Sequence, residues 1–314
     1  MKNMKFKSLF YGLCLLAIIL SNGCAPSARI PITKPAEVNL KGVNKIVIGS
    51  LEGNSGKSFG DLLTNRLFES KKFEVLDRDN LGRVMSEHSL NASGAVDTST
   101  AVELGKLIGA SALIAGNVNL DYKVNNSKDN PYKDKKGNYH QRFVKEGTAT
   151  INANLKVIDL QTGKIVATKA INAHDSDTVS EDNQWPSDPD RDAVASGAAS
   201  KSLDVFMKMI APYTDYVYVV FEETPESEGG VNFAKNGLWK EALEQFKIAK
   251  DKNPSHPGSW YNLGLGYQYN YMFREAEDAF KECNKVKPSD KCMSGISELR
   301  RMEQEQKKLQ EQSS

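Results

Sequence analysis

Residues 230–288 repeat themselves at a fixed period. Gly230, Phe233, Ala242, Phe246, Ala249 and Pro254 recur 34 residues on as Gly264, Tyr267, Ala276, Phe280, Cys283 and Pro288, and Trp260 and Leu263 complete the second copy. Matched offsets of this kind constrain the fold more than anything else in the chain. Each copy predicts a pair of helices, with small residues where the pair crosses and Pro after the second helix. One pair cannot bury its apolar face alone, so the copies must stack on one another. Residues 290–311, rich in Glu, Gln, Lys and Arg, predict a capping helix. Two copies and a cap make a short stack, which predicts docking on another domain or on a partner.

The N-terminus sets the compartment. Lys2, Lys5 and Lys7 precede an apolar run from Leu9 to Leu20, the length of a signal-peptide core and too short for a membrane span of about 20 residues. The following Leu20-Ser21-Asn22-Gly23-Cys24-Ala25 resembles a bacterial lipobox, although Ser21 stands where an aliphatic residue is usual. The resemblance implies a signal peptide over 1–23, lipid on Cys24 and no other cofactor. Ala25 after that cysteine implies an outer-membrane, periplasm-facing destination. Residues 24–44 contain Pro26, Pro31 and Pro35 without apolar periodicity and read as a lipid-anchored tether, about 70 Å long at full stretch. Forty-one basic residues against 40 acidic ones give no broad footprint for nucleic acid.

Strand and helix signals alternate from Lys45. The pattern predicts strands at 45–50, 73–77 and 111–120, and helices at 60–70, 79–88 and 98–108. A hairpin follows with arms 148–159 and 164–173, then a helix at 191–210 with a face of Ala193, Val194, Ala198, Leu203, Val205 and Phe206. This is an α/β (α+β) domain over 45–210 with a mixed sheet flanked by helices. A linker at 211–228 joins it to an all-α module at 229–311.

The residues that carry chemistry are few. Gly53-Asn54-Ser55-Gly56-Lys57-Ser58 sits between a strand and a helix, where a phosphate-binding loop would lie. The required spacing puts Leu51 where the first Gly should be, so the nucleotide is excluded. His88, His140, His174 and His256 are scattered without metal-ligand spacing. Asp188, Asp190 and Asp192 lack the rest of a calcium loop and read as a solvated turn. No enzyme and no metal site is expected. Cys283 and Cys292 bracket the turn before the cap, and a buried thiol and a disulfide both fit that position.

Two family resemblances organise these observations. The stretches KIVIGS, FEVLDRDNLGRVMSEHSLNASG and AVELGKLIGASALIAGNV resemble the curli-assembly CsgG family through Phe73, Val75, Asp77, Arg78, Leu81, Glu87, Leu90, Ser93 and Gly94. Leu104, Gly105, Gly109, Ala110 and Gly116 continue the likeness. It implies an envelope protein able to form homo-oligomers, and in the channel-forming members two hairpins span the membrane. Here the matching insertions, 121–147 and 174–192, carry Lys, Arg, acidic residues, Pro131, Pro186 and Pro189, and read as polar surface loops. A related branch of lipoproteins activates cell-wall synthases. The 34-residue pattern resembles the tetratricopeptide family, which implies a protein-binding groove near Asn232, Lys235, Asn236, Tyr261, Asn262 and Tyr269. An alternative leaves Tyr261 and Tyr269 packed between helices. The resulting expectation is a non-catalytic scaffold for assembly at the outer membrane. The alternatives are a CsgG-type secretion-channel subunit and a synthase activator.

Overall fold

A computed structural model describes residues 26–76, 98–109 and 111–313. Cys24, the short helix expected at 79–88 and the Asp77–Gly94 part of the CsgG-like wording lie outside the described residues. In chain order the elements begin with β1 (Ser27–Lys34), β2 (Lys45–Glu52), α1 (Gly56–Ser70), β3 (Glu74–Leu76), α2 (Thr98–Ile108) and β4 (Ala112–Lys128). Next come β5 (Tyr132–Lys133), β6 (Tyr139–His140), β7 (Arg142–Asp159), β8 (Ile165–Asp182), α3 (Arg191–Ile210) and β9 (Tyr213–Val220). The last five are α4 (Glu228–Lys235), α5 (Trp239–Lys252), α6 (Pro257–Tyr269), α7 (Phe273–Val286) and α8 (Asp290–Ser313). The chain divides into two compact units. One comprises Lys34–Tyr213 with Lys308–Ser314, and the other comprises the residues up to Thr33 with Thr214–Lys307.

The Lys34–Tyr213 unit is built on a sheet of order β3-β2-β4-β7-β8. β2 pairs in parallel with both β3 and β4, and β4–β7 and β7–β8 are antiparallel, so the sheet is mixed as expected. Phe59, Leu63 and Leu67 recur every four residues on α1 and therefore share the face that meets the sheet. They join Ile46, Ile48, Ile114, Ile151, Leu155 and Val157 with Val194, Leu203 and Phe206 of α3. Ala193 and Val205, expected on that face, are exposed instead. The opposite face of the sheet holds a smaller core in which Ala101 and Leu104 of α2 meet Val47, Leu113 and Ile158.

The two insertions are not loops. β4 and β7 pair without interruption from Ala112↔Asp159 to Lys128↔Phe143, and β7 and β8 pair from Ile158↔Ile165 out to Arg142↔Asp182 with one bulge between Val157 and Ile158. Strands this long are stable despite their polar composition because residues 184–190 return along one face. Trp185 meets the Phe143 ring edge-on at 4.9 Å, Lys145 pairs with Asp188 at 2.7 Å, and the Tyr122 hydroxyl donates to the Pro189 carbonyl at 3.0 Å. Asp190 then caps α3 by accepting from the amides of Asp192 and Ala193. Asp188 and Asp190 thus already serve a lysine and a helix end.

The helical unit repeats in space what the sequence repeats in order. The turn between α4 and α5 is closed by Leu238 N–H donating to Phe233 O, and that between α6 and α7 by Met272 N–H donating to Tyr267 O, both at 3.0 Å. A Cβ on Gly230 would stand 2.5 Å from the Phe246 ring, and one on Gly264 would stand 2.6 Å from Phe280. The ring of each second helix therefore lies directly over the glycine of the first. This unit also takes in residues expected outside it. Residues 24–44 read as a tether and 211–228 as a linker, yet β1 and β9 form a two-stranded ribbon. Its strands run antiparallel, since Pro26, just before β1, accepts a 2.8 Å hydrogen bond from Phe221, just after β9. Alternate side chains, Ala28, Ile30, Val219 and the wholly buried Phe221, enter the helical core. Burial of that apolar stripe is what removes the tether.

Candidate binding surface

The residues expected to line the groove separate into two groups. Asn262 is fully buried and serves as a strut: its carbonyl oxygen accepts from Glu222 N–H at 2.9 Å and its amide donates to Glu222 O at 2.8 Å. Both backbone groups would otherwise be lost to water where the chain leaves the ribbon. Tyr269 stacks on Trp239 with centroids 4.4 Å apart, and Tyr261 packs against Phe280 at 5.6 Å. Burial pushes the Tyr261 phenol up to about 12, helped by the Glu222 carboxylate, and burial also raises Tyr269. The two tyrosines therefore pack between elements, and their helix, α6, lies beneath β9: Val217–Val220 line one cleft with Tyr261, Leu265, Gln268 and Tyr269. The ribbon and the segment after it occupy the face on which a partner was expected.

Asn232 and Lys235 on α4, and Asn236 just after it, remain exposed. The Asn236 amide donates to Asn232 O at 2.8 Å and finishes the helix. Asn232 and Lys235 border an open cleft of about 550 Å³ whose rim includes Glu222, Glu223 and Glu228. The Glu222 carboxylate is taken by Lys291 at 2.5 Å, which leaves Glu223 and Glu228 with Lys235 on the rim, a surface suited to a basic or polar peptide. Cys283 and Cys292 are joined as a disulfide that ties α7 to α8. Missed at the sequence level were Trp239 and Phe221, which stack at 6.3 Å beneath the ribbon. The signal was present in the alternation of Thr214, Tyr216, Tyr218 and Val220 with Asp215, Val217, Val219 and Phe221.

In the other unit the Gly-rich turn is sewn to β4. Asn54 exchanges hydrogen bonds with the Leu120 backbone at 2.7 and 2.9 Å, and Ser55 N–H donates to Val118 O at 3.2 Å. Gly53 has φ +95°, and a Cβ there would stand 2.3 Å from Val118 O, so glycine is required for the turn itself. Those amides are spent on the sheet, and no phosphate cradle is left; Lys57 and Ser58 are exposed. The uncovered face of the long strands carries Asn117, Asn119, Asn152 and Asn172, joined in pairs by amide hydrogen bonds of 2.6 Å. A cleft of about 430 Å³ opens beside them between Glu52 and Lys169. Beyond β4, the β5–β6 turn is organised by Asp134, whose carboxylate accepts from the backbone and side chain of Asn138 and contacts His140 at 3.2 Å. The Asn138 hydrogen bonds hold its carboxyl down at about 2. Among the described residues no cluster of three or more His, Cys, Asp and Glu side chains is placed to hold a metal, and no helix is long and apolar enough to cross a membrane.

Residues 41–182 match the family of the curli production assembly/transport component CsgG. The match ends before α3, although α3 belongs to the same core. No curated protein sequence matches the chain. Among solved structures the chain is similar to lipoprotein GNA1162 from Neisseria meningitidis, at 12% identity and a TM-score of 0.30, covering 52% of this chain and 98% of that one. It is also similar to the LpoB C-terminal domain from Escherichia coli, at 12% identity and 0.28, covering 51% and 92%. A PelC dodecamer from Paraburkholderia phytofirmans follows at 14% identity and 0.26, covering 59% and 98%. Likenesses at these scores do not bear on partner or assembly.

Proposed function

We propose that this chain, with its CsgG-type domain at 41–182, is a lipid-anchored envelope protein that works by non-catalytic assembly. The family match carries the reading. The anchor is lipid on Cys24 and the destination is the periplasmic face of the outer membrane. Support comes from the basic start, the apolar run and the small residue before the cysteine, with Ala25 after it. The helical unit is a two-repeat tetratricopeptide-type module with α8 as its cap, supported by the equal turns and glycine–ring contacts one period apart. Its available binding surface is the acidic cleft beside Asn232 and Lys235 rather than the face under the ribbon. A protein partner with basic or polar side chains would dock there, and the CsgG-type domain would supply self-association. A Cys24→Ala chain should leave the membrane fraction, and retention there would refute the anchor. Crosslinking from Lys235 in the native envelope, followed by identification of the attached protein, tests the cleft. A cell-wall synthase and an unrelated envelope protein are its distinguishable outcomes, and no attachment refutes the site.

A channel subunit is the second reading, favoured by strand length alone. At about 3.3 Å per residue the 18-residue strands β7 and β8 exceed the height of a bilayer's apolar band. The open face they share with β4 opposes it, with Asp121, Lys123 and Asn125 of β4 and Glu146 of β7 where lipid would lie. Ion conduction by detergent-extracted rings would establish the channel, and monomers or dimers without conductance would dismiss it.

A further inference from the structure

The ribbon leaves almost no chain between the proposed anchor and the folded helical unit. Cys24 precedes Pro26 by two residues, at most about 7 Å of chain, and Pro26 is already hydrogen-bonded to Phe221. A lipid on Cys24 therefore holds this end of the unit at the bilayer surface. Two surfaces lie within reach. One is the cleft beside Pro26 with Glu223 and Glu228, whose carboxylates an anionic leaflet repels.

The other is the outer face of the ribbon. Its β9 side presents Tyr216 at 49% exposure, Tyr218 at 75% and Val220 at 41%. Its β1 side presents Ser27, Arg29, Pro31 and Thr33. The Arg29 guanidinium lies 3.8 Å above the Tyr216 ring. Among the described residues the outward side chains of the two strands include one charge, the positive Arg29. Asp215 points its carboxylate back to the Tyr216 N–H, and Glu298 lies beside the β9 edge. Tyrosine rings favour the headgroup layer, where the ring is half buried and the hydroxyl stays wet, and arginine can lay its stem along them while its head meets phosphate. Such a face binds weakly alone, but an anchor two residues away makes its contact intramolecular.

We propose that the outer face of the β1–β9 ribbon lies against the phospholipid headgroups of the leaflet that holds the anchor. The inference rests on lipidation of Cys24. The test uses the full lipidated chain in phosphatidylethanolamine–phosphatidylglycerol vesicles, with an environment-sensitive NBD dye on Tyr218→Cys, on Arg29→Cys, or on Lys252→Cys of α5 as reference. All three positions are exposed, so the substitutions leave the core intact. The expected result is a several-fold brighter, blue-shifted emission at 218 and 29, quenched by headgroup nitroxide lipid, with no change at 252. Equal responses at all three positions, or none at 218 and 29, would overturn the proposal while mass analysis still shows lipid on Cys24. An unmodified Cys24 would overturn the anchor and this inference together.

Discussion

Asn262 joins the ribbon exit to the helices through two hydrogen bonds to the Glu222 backbone. Asn262→Ala strands the Glu222 N–H and C=O inside the protein and should cost about 1–3 kcal/mol, read as a lower unfolding midpoint of the helical unit. Asn262→Asp should cost no less, since its carboxylate faces the Glu222 carbonyl without a donor. Asp134 gives a second test at this scale. Its folded carboxyl titrates below its ordinary 3.8, so whatever it contributes to the β5–β6 turn is present above that value and is lost as the pH falls to about 2. Side-chain NMR should show the low midpoint, and Asn138→Ala should raise it part-way, because the backbone donor remains. An ordinary midpoint in the native chain would contradict the geometry.

Among the elements, the two helical pairs should behave as copies. Phe246 and Phe280 are wholly buried over Gly230 and Gly264. Truncating either to Ala should cost about 3–5 kcal/mol by denaturant unfolding, and strongly unequal losses would argue against equivalent packing. Reducing the Cys283–Cys292 disulfide should destabilise the α7–α8 junction by about 2–3 kcal/mol, with no effect expected in a Cys292→Ser chain. The repeat was legible because helix crossing demands a small residue and a ring at fixed spacing. The positions of strands β2 and β4 in the other unit were legible for a similar reason, since both carry apolar runs, whereas their order in the sheet was not. The ribbon was not. Ser27–Lys34 finds its partner only after residue 212, and Pro31 looks like a tether residue although it sits on the open side of a two-stranded ribbon, where a missing N–H is tolerated. The extensions of β4, β7 and β8 were hidden because their cover is a short Pro-containing segment, which has no periodicity to read. The groove was misplaced because nothing local to Tyr261 or Tyr269 says that the chain itself lies over them.

For the whole molecule, the division into two units does not follow the order of synthesis. The helical unit is discontinuous, with residues 34–213 set between its two ribbon strands. The entropic cost of so long a closure rises only with the logarithm of its length, so equilibrium stability is little affected. Timing is affected far more. As the chain emerges during synthesis, Ser27–Lys34 comes out early but has nothing to pair with until residues 35–212 have passed and Tyr213–Val220 follows. The helices that cover its apolar side come later still. The oldest strand in the molecule is therefore among the last to be placed.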